Sequence, residues 1–153
     1  MNSPETIVWR SNFETGVAEI DEQHRILVNT LNDANAKLRD DSDFDIWERC
    51  TRDLLSYALY HFNTEETLAA KYGYNNEESA DAMSHWQQHR SFSAKVVQVR
   101  EGLKSGNRIS KNDLIAFLNG WLVDHILTTD HCLAAFICEK RRQLEASSHP
   151  RQV

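Results

Sequence analysis

Apolar residues recur along this chain at alternating spacings of four and three, the rhythm of helices that bury one face in a bundle. The first stripe runs Ile20, His24, Leu27, Leu31, Ala34, Leu38, with Asp21 placed to cap its start. The second runs Trp47, Cys50, Leu54, Tyr57, His61, Glu65, Leu68, and the third His85, His89, Phe92, Val96, Val99, Leu103. The fourth opens on "SKND", a capping-box spacing from Ser110 to Asp113, and continues Leu114, Leu118, Trp121, His125, Thr128, Cys132. Polar, turn-forming stretches separate them: "DDSDFD", "YGYNNEES" and "KSGNRIS". Helices joined by short turns pack antiparallel, so the pattern predicts an all-α, up-down-up-down antiparallel four-helix bundle with an extended N-terminal arm. The chain reads as one domain over residues 1–153, with the arm at 1–19, the bundle at 20–140 and a tail at 141–153.

Composition narrows the possible functions. A chain of 153 residues is long enough to build a core without disulfides. Its two prolines, Pro4 and Pro150, lie at the extreme ends, leaving the interior free of helix breakers. The net charge of -6, without a basic block, argues against nucleic acid or an anionic membrane as partner. "MNSPETIVWR" lacks the apolar core of a signal peptide, and no apolar run approaches membrane-spanning length, so the expected address is cytoplasmic. Cys50, Cys132 and Cys138 form a sparse, odd set that suits free thiols in a reducing compartment.

The stretch "HFNTEE" changes the picture, because it puts His61 and Glu65 one turn apart on a stripe otherwise meant for burial. Burying a polar group without a partner costs roughly 2–7 kcal/mol, and more if it is ionised. Every stripe poses the same problem, through His24, His61, the pair His85 and His89, and His125. Alternating helix direction puts all five imidazoles at one depth: His24, His85 and His89 come early in their helices, His61 late, His125 past the middle. One such histidine is ordinarily a satisfied core residue. Five converging at one level call for a common partner, and a metal centre supplies it. His131 and His149 follow no stripe and are expected to face solvent.

A structural zinc takes four ligands, and calcium or magnesium prefers oxygen donors, so five imidazoles with a carboxylate fit two first-row metals better. The chain resembles the hemerythrin family, in particular its bacterial single-domain members, through "WRSNFETGVAEIDEQHRILV", "HFNTEE", "HWQQH" and "WLVDHILTTD". The resemblance implies two iron ions bridged by oxo or hydroxo and by two carboxylates, with His24, His61, Glu65, His85, His89, His125 and Asp130 as ligands. Spacing alone does not select Asp130. Five residues after His125 it is turned about 140° around an ideal helix, so it needs a local distortion or a reaching side chain.

About twelve coordination positions on two octahedral irons, less five imidazoles, two bridging carboxylates and one bridging oxygen, leave one open, and the family uses that vacancy for dioxygen. The resemblance therefore implies reversible dioxygen binding for storage, transport or delivery, with no enzymatic step. The alternatives are an oxygen or redox sensor acting through a partner, and a di-iron enzyme acting on peroxide or nitric oxide. Leu122, Ile126, Trp121 and Phe62 are the expected walls of a dry ligand pocket. Glu66 is expected on the outer face. Ala69 stands where bacterial members often have methionine, and Leu133 where tyrosine is common. The connection within "YGYNNEESADAMS" is longer than usual by about five residues, making a surface loop that could carry a partner contact, although no protein partner can be named.

Overall fold

The computed structural model describes residues 6–74 and 80–148, and the starts of its first, second and fourth rods follow from local hydrogen-bond chemistry. Helix α1 spans Ala18–Lys37. It begins three residues before Asp21, so Asp21 is not the residue that opens it. Gly16, at φ 94°, turns the chain into the helix, and the Asp21 carboxylate reaches back from the first turn to accept from Thr15 N (2.8 Å), Thr15 Oγ1 (2.7 Å) and Gly16 N (3.2 Å). Asp43 caps α2 (Phe44–Tyr72) by accepting from Ile46 N, and Gly73 closes it at φ 83°, donating to Ala69 O and Ala70 O. Helix α3 covers Ala80–Ser105. Helix α4 (Lys111–Asp124) starts as "SKND" predicts, with Ser110 Oγ accepting from Asp113 N at 3.1 Å.

The fourth rod is not one regular helix. Between α4 and α5 (His131–Ser148) lies a π-helical segment, His125–Asp130, whose wider turn inserts a residue into the register. The insertion shifts the buried face. Leu114, Leu118 and Leu122 point inward before it; Ile126, Asp130, Leu133, Ala134 and Ile137 do so after it. Thr128 and Cys132, which an unbroken 3.6-residue period places inside, are therefore exposed. Helix α5 also runs on past residue 140 to Ser148.

Among the described residues the rods make an antiparallel four-helix bundle without strands. Its interior is divided. A large apolar cluster, including Leu31, Trp47, Leu54, Phe92, Val96 and Leu118, fills the end where α1 stops and α2 starts. A smaller one, with Val17, Ile20, Leu68, Ala69, Tyr74, Leu133 and Ile137, closes the opposite end. Burial of large aliphatic and aromatic side chains at roughly 1.5–3 kcal/mol each is the main force holding the rods in register. The ends are tied by polar clips: Trp47 Nε1 donates to Arg39 O (3.0 Å) at one, and Arg141 donates to Glu19 Oε2 (2.6 Å) and Tyr72 Oη (2.9 Å) at the other. The arm lies along α1, where Asn32 accepts from Ile7 N and donates to Ile7 O, both at 2.9 Å.

The long connection is less loop-like than its sequence suggests. Tyr72 and Ala80–Ser84 are helical, and Tyr74 is buried with its ring 5.2 Å from that of Phe136. Residues 75–79, where an added partner contact is expected, lie outside the described residues. No helix among those described is long and apolar enough to cross a membrane.

Candidate metal centre

Between the two apolar clusters sits a layer built from all four rods. His24 comes from α1, His61 and Glu65 from α2, His85 and His89 from α3, and His125 and Asp130 from the two ends of the π-helical segment. All seven are buried, none above 4% exposure, in a protein whose other charged side chains mostly face water. The spacing of four within "HFNTEE" and "HWQQH" stacks side chains on one face of α2 and of α3. The π turn does the same for a spacing of five, swinging Asp130 under His125.

The contacts are close. His61 Nε2 lies 2.5 Å from Glu65 Oε1, and His85 Nε2 lies 3.0 Å from Glu65 Oε2 and 3.0 Å from Asp130 Oδ1. His125 Nε2 is 3.0 Å from Asp130 Oδ1, and His24 Nε2 is 2.7 Å from Asp130 Oδ2. Two groups of converging ligand atoms result, each lying within 4.8 Å of one another: Glu65, His85, His89, His125 and Asp130 in one, and His24, His61, Glu65 and Asp130 in the other. Glu65 and Asp130 belong to both groups, so each carboxylate can face two cations at once.

The chemistry of the layer asks for cations. The Nε2 atoms of all five histidines and both oxygens of Glu65 and Asp130 are buried without a hydrogen-bond partner, although they sit within ion-pair reach of one another. Orphaned buried acceptors and donors at this density are unstable unless a positive centre sits among them. The electrostatics point the same way. Burial alone would push His24 and His85 down, yet the neighbouring carboxylates win: His24 is raised, and Asp130 and Glu65 lift His85 to about 9. Burial, reinforced by His85 and His125, drives His89 down to about 2, leaving it a neutral imidazole free to ligate. Burial would raise Asp130, but the adjacent His125 and the contacts with Glu65 and His24 hold it well below the ordinary carboxylate range. Imidazole and carboxylate together suit first-row transition metals.

Two supporting residues were not legible beforehand. Gln23 Oε1 lies 2.8 Å from His61 Nδ1, and Gln88 Oε1 lies 2.7 Å from His125 Nδ1. Their only sequence signal is position: each immediately precedes a site histidine, within "EQH" and "QQH". The apolar side of the layer is aromatic. Phe62 stacks on His89 (centroids 3.9 Å apart, 13° between planes) and Trp121 on His125 (4.4 Å, 15°). Phe62, Trp121 and Leu122, three of the four expected wall residues, line a void of about 10 Å³ with Leu27, Leu31, Leu54, Ala58, Phe92 and Leu118. Ile126 is fully buried in the same apolar cluster but does not line the void.

Other candidates fall away from the layer. Glu66 is exposed, as expected for the outer face. His131 is only half-buried, with Nε2 2.9 Å from Asn12 O, and His149 lies outside the described residues. Cys50, Cys132 and Cys138 are free, and Cys132 is exposed. Ala69 and Leu133 are both fully buried in the smaller apolar cluster, which closes the centre at that end.

With this geometry in place, comparison with known proteins is specific. Residues 15–137 match the model of the hemerythrin HHE cation binding domain. A hemerythrin-like protein of Naegleria gruberi is 32% identical over 127 residues, covering 83% of this chain and 90% of that protein. Bacteriohemerythrins of Clostridium acetobutylicum (28% over 128 residues, 80% and 95% covered) and Pseudomonas aeruginosa strain LESB58 (29% over 124 residues, 81% and 76% covered) are similar. A crystal structure of wild-type hemerythrin superposes with a TM-score of 0.75 at 23% identity, covering 87% of this chain and 98% of that one, a likeness of fold. The matched span runs from the turn before α1 to Ile137 and so contains the whole histidine–carboxylate layer: the chain belongs to the hemerythrin HHE cation-binding family.

Proposed function

We propose that the chain holds two iron ions and binds dioxygen reversibly, serving oxygen storage, transport or delivery in the cytoplasm rather than catalysing a reaction. The observation that carries this reading is the inequality of the two ligand groups, which share Glu65 and Asp130 but have three imidazoles on one side and two on the other. His85, His89 and His125 would hold one ion and His24 and His61 the other, with both carboxylates spanning the pair. If each ion takes about six ligands including a shared oxo or hydroxo, the side of His24 and His61 is one ligand short. When bound, such an iron pair supplies redox chemistry toward dioxygen.

The chain's own residues set the conditions. Five imidazoles, each neutral once it ligates, against two carboxylates make a donor set poorer in negative charge than the glutamate-rich di-iron bundles, which favours the reduced pair. Phe62, Trp121 and Leu122 keep the layer dry toward the larger core, and the small void beside them leaves no room for bulk water. The rings stacked on the ligating imidazoles are aromatic, Phe62 on His89 and Trp121 on His125, and the partners of His61 Nδ1 and His125 Nδ1 are carboxamides, a setting suited to holding the imidazoles rather than to proton transfer. The three free thiols suit a reducing compartment.

The test is to add dioxygen to the anaerobically reduced, iron-loaded protein, remove it, and follow the visible spectrum. A charge-transfer band that rises with dioxygen and vanishes on its removal supports a carrier. Immediate irreversible oxidation favours a redox sensor or a di-iron enzyme acting on peroxide or nitric oxide.

A further inference from the structure

Resting on the di-iron reading above, we infer that Gln23 and Gln88 are positioning residues of the centre, each fixing the tautomer and aim of one imidazole in one ligand group. The direction of the hydrogen bonds follows from a chain of donors. Thr64 donates its hydroxyl proton to Tyr60 O at 3.2 Å, so its oxygen must accept from Gln23 Nε2, 3.0 Å away. The carboxamide of Gln23 is thereby oriented with its oxygen toward His61, where Oε1 lies 2.8 Å from Nδ1. A carbonyl oxygen only accepts, so Nδ1 of His61 carries a proton and Nε2 is the ring nitrogen turned toward Glu65, the one left to ligate.

The second half repeats the device. Thr128 donates to Asp124 O (2.7 Å), and Thr129 donates to Gln88 Oε1 (2.8 Å). Gln88 Nε2 points instead at Ser84 Oγ, 3.4 Å away. His125 Nδ1, 2.7 Å from Gln88 Oε1, is then the donor, and Nε2 is the ring nitrogen turned toward Asp130. Each glutamine precedes one site histidine and orients a histidine of the following rod, α1 onto α2 and α3 onto the π-helical segment after α4. One imidazole in each ligand group is thus locked before any cation arrives. A fixed Nδ1–H donor bond raises ligand basicity at Nε2, and losing such a partner typically lowers metal affinity about 10- to 100-fold.

The experiment uses the full-length chain carrying Gln23→Leu, Gln88→Leu, Gln23→Glu or Gln88→Glu, beside wild type. Imidazole 15N–1H correlation of the metal-free proteins reports the tautomers. Wild type is expected to show Nδ1–H signals for His61 and His125, with Gln23→Leu losing only the former and Gln88→Leu only the latter. Anaerobic titration with ferrous ion is expected to show two equivalents in wild type, and one of them weakened about 10- to 100-fold in each leucine variant. The glutamate variants retain an acceptor oxygen and restore binding, which a general loss of folding would not allow. Wild-type rings in the Nε2–H form, or leucine variants that bind both ions as tightly as wild type, overturn the positioning role. A wild-type protein that takes up no iron overturns the di-iron reading itself.

Discussion

His125 and Asp130 stand at opposite ends of the π-helical segment, yet Nε2 of one lies 3.0 Å from Oδ1 of the other. The pair exists because one inserted residue widens the turn. Deleting the exposed Thr128 is expected to restore an α-helix, put the aspartate four residues after His125 as Glu65 is to His61, and leave Leu133, Ala134 and Ile137 facing inward. Thermal unfolding of the metal-free deletion variant should stay cooperative, with a Tm within a few degrees of wild type. A molten or unfolded product would show that the π turn is required by the packing.

Glu65 and Asp130 each belong to both ligand groups, whereas every histidine belongs to one. Glu65→Ala or Asp130→Ala should therefore abolish uptake of both irons, while His61→Ala and His89→Ala should each spare one of the two equivalents. Ferrous titration with measured iron content distinguishes these patterns. Loss of a single equivalent from either carboxylate variant would contradict the shared arrangement.

The metal-free protein should have a stability maximum near pH 6.5, set by buried histidines moved in opposite directions, His24 and His85 upward and His89 downward. His85, raised from 6.5 to about 9, gives stability that is complete below 6.5 and disappears as the pH climbs through 9. His89, lowered to about 2, gives stability that is present above 6.5 and declines as the pH falls from there. Tm measured from pH 5 to 10 should be bell-shaped, and His85→Gln should weaken the alkaline limb, to which His24 also contributes. Iron uptake should release protons and strengthen over the same alkaline limb, because a proton must leave His85 before Nε2 can ligate. A flat profile would rule out this assignment of charge.

Much of this was legible in the sequence, and the exceptions share a cause. Seams of hydrophobic residues and inward histidines announce the bundle and the depth of the layer, because helical periodicity transmits directly into which face is buried. Periodicity fails where the helix stops being regular: Thr128 and Cys132 continue the stripe on paper but face water, and Asp130 could be named only through its resemblance to a family pattern. Gln23 and Gln88 escaped for another reason. Their role depends on which neighbouring rod they lean toward, and a spacing rule carries no such information. The start of α1 was hidden because Gly16 turns the chain earlier than the first acidic capping residue suggests.

Leu122 lines the small void beside the aromatic wall, and alanine there should cost about 2–5 kcal/mol of stability by leaving a cavity. The enlarged space admits water toward the centre, so the reduced, iron-loaded variant should oxidise irreversibly faster than wild type. Chemical denaturation gives the first quantity and the decay of the dioxygen-dependent visible band the second. Equal decay rates would remove Leu122 from the water barrier.

The central claim, two irons held together by Glu65 and Asp130, is tested most directly by iron K-edge X-ray absorption on the loaded protein combined with its iron content. The account predicts two irons per chain with iron–iron scattering at a distance below about 4 Å. One iron per chain, or two without mutual scattering, would contradict it.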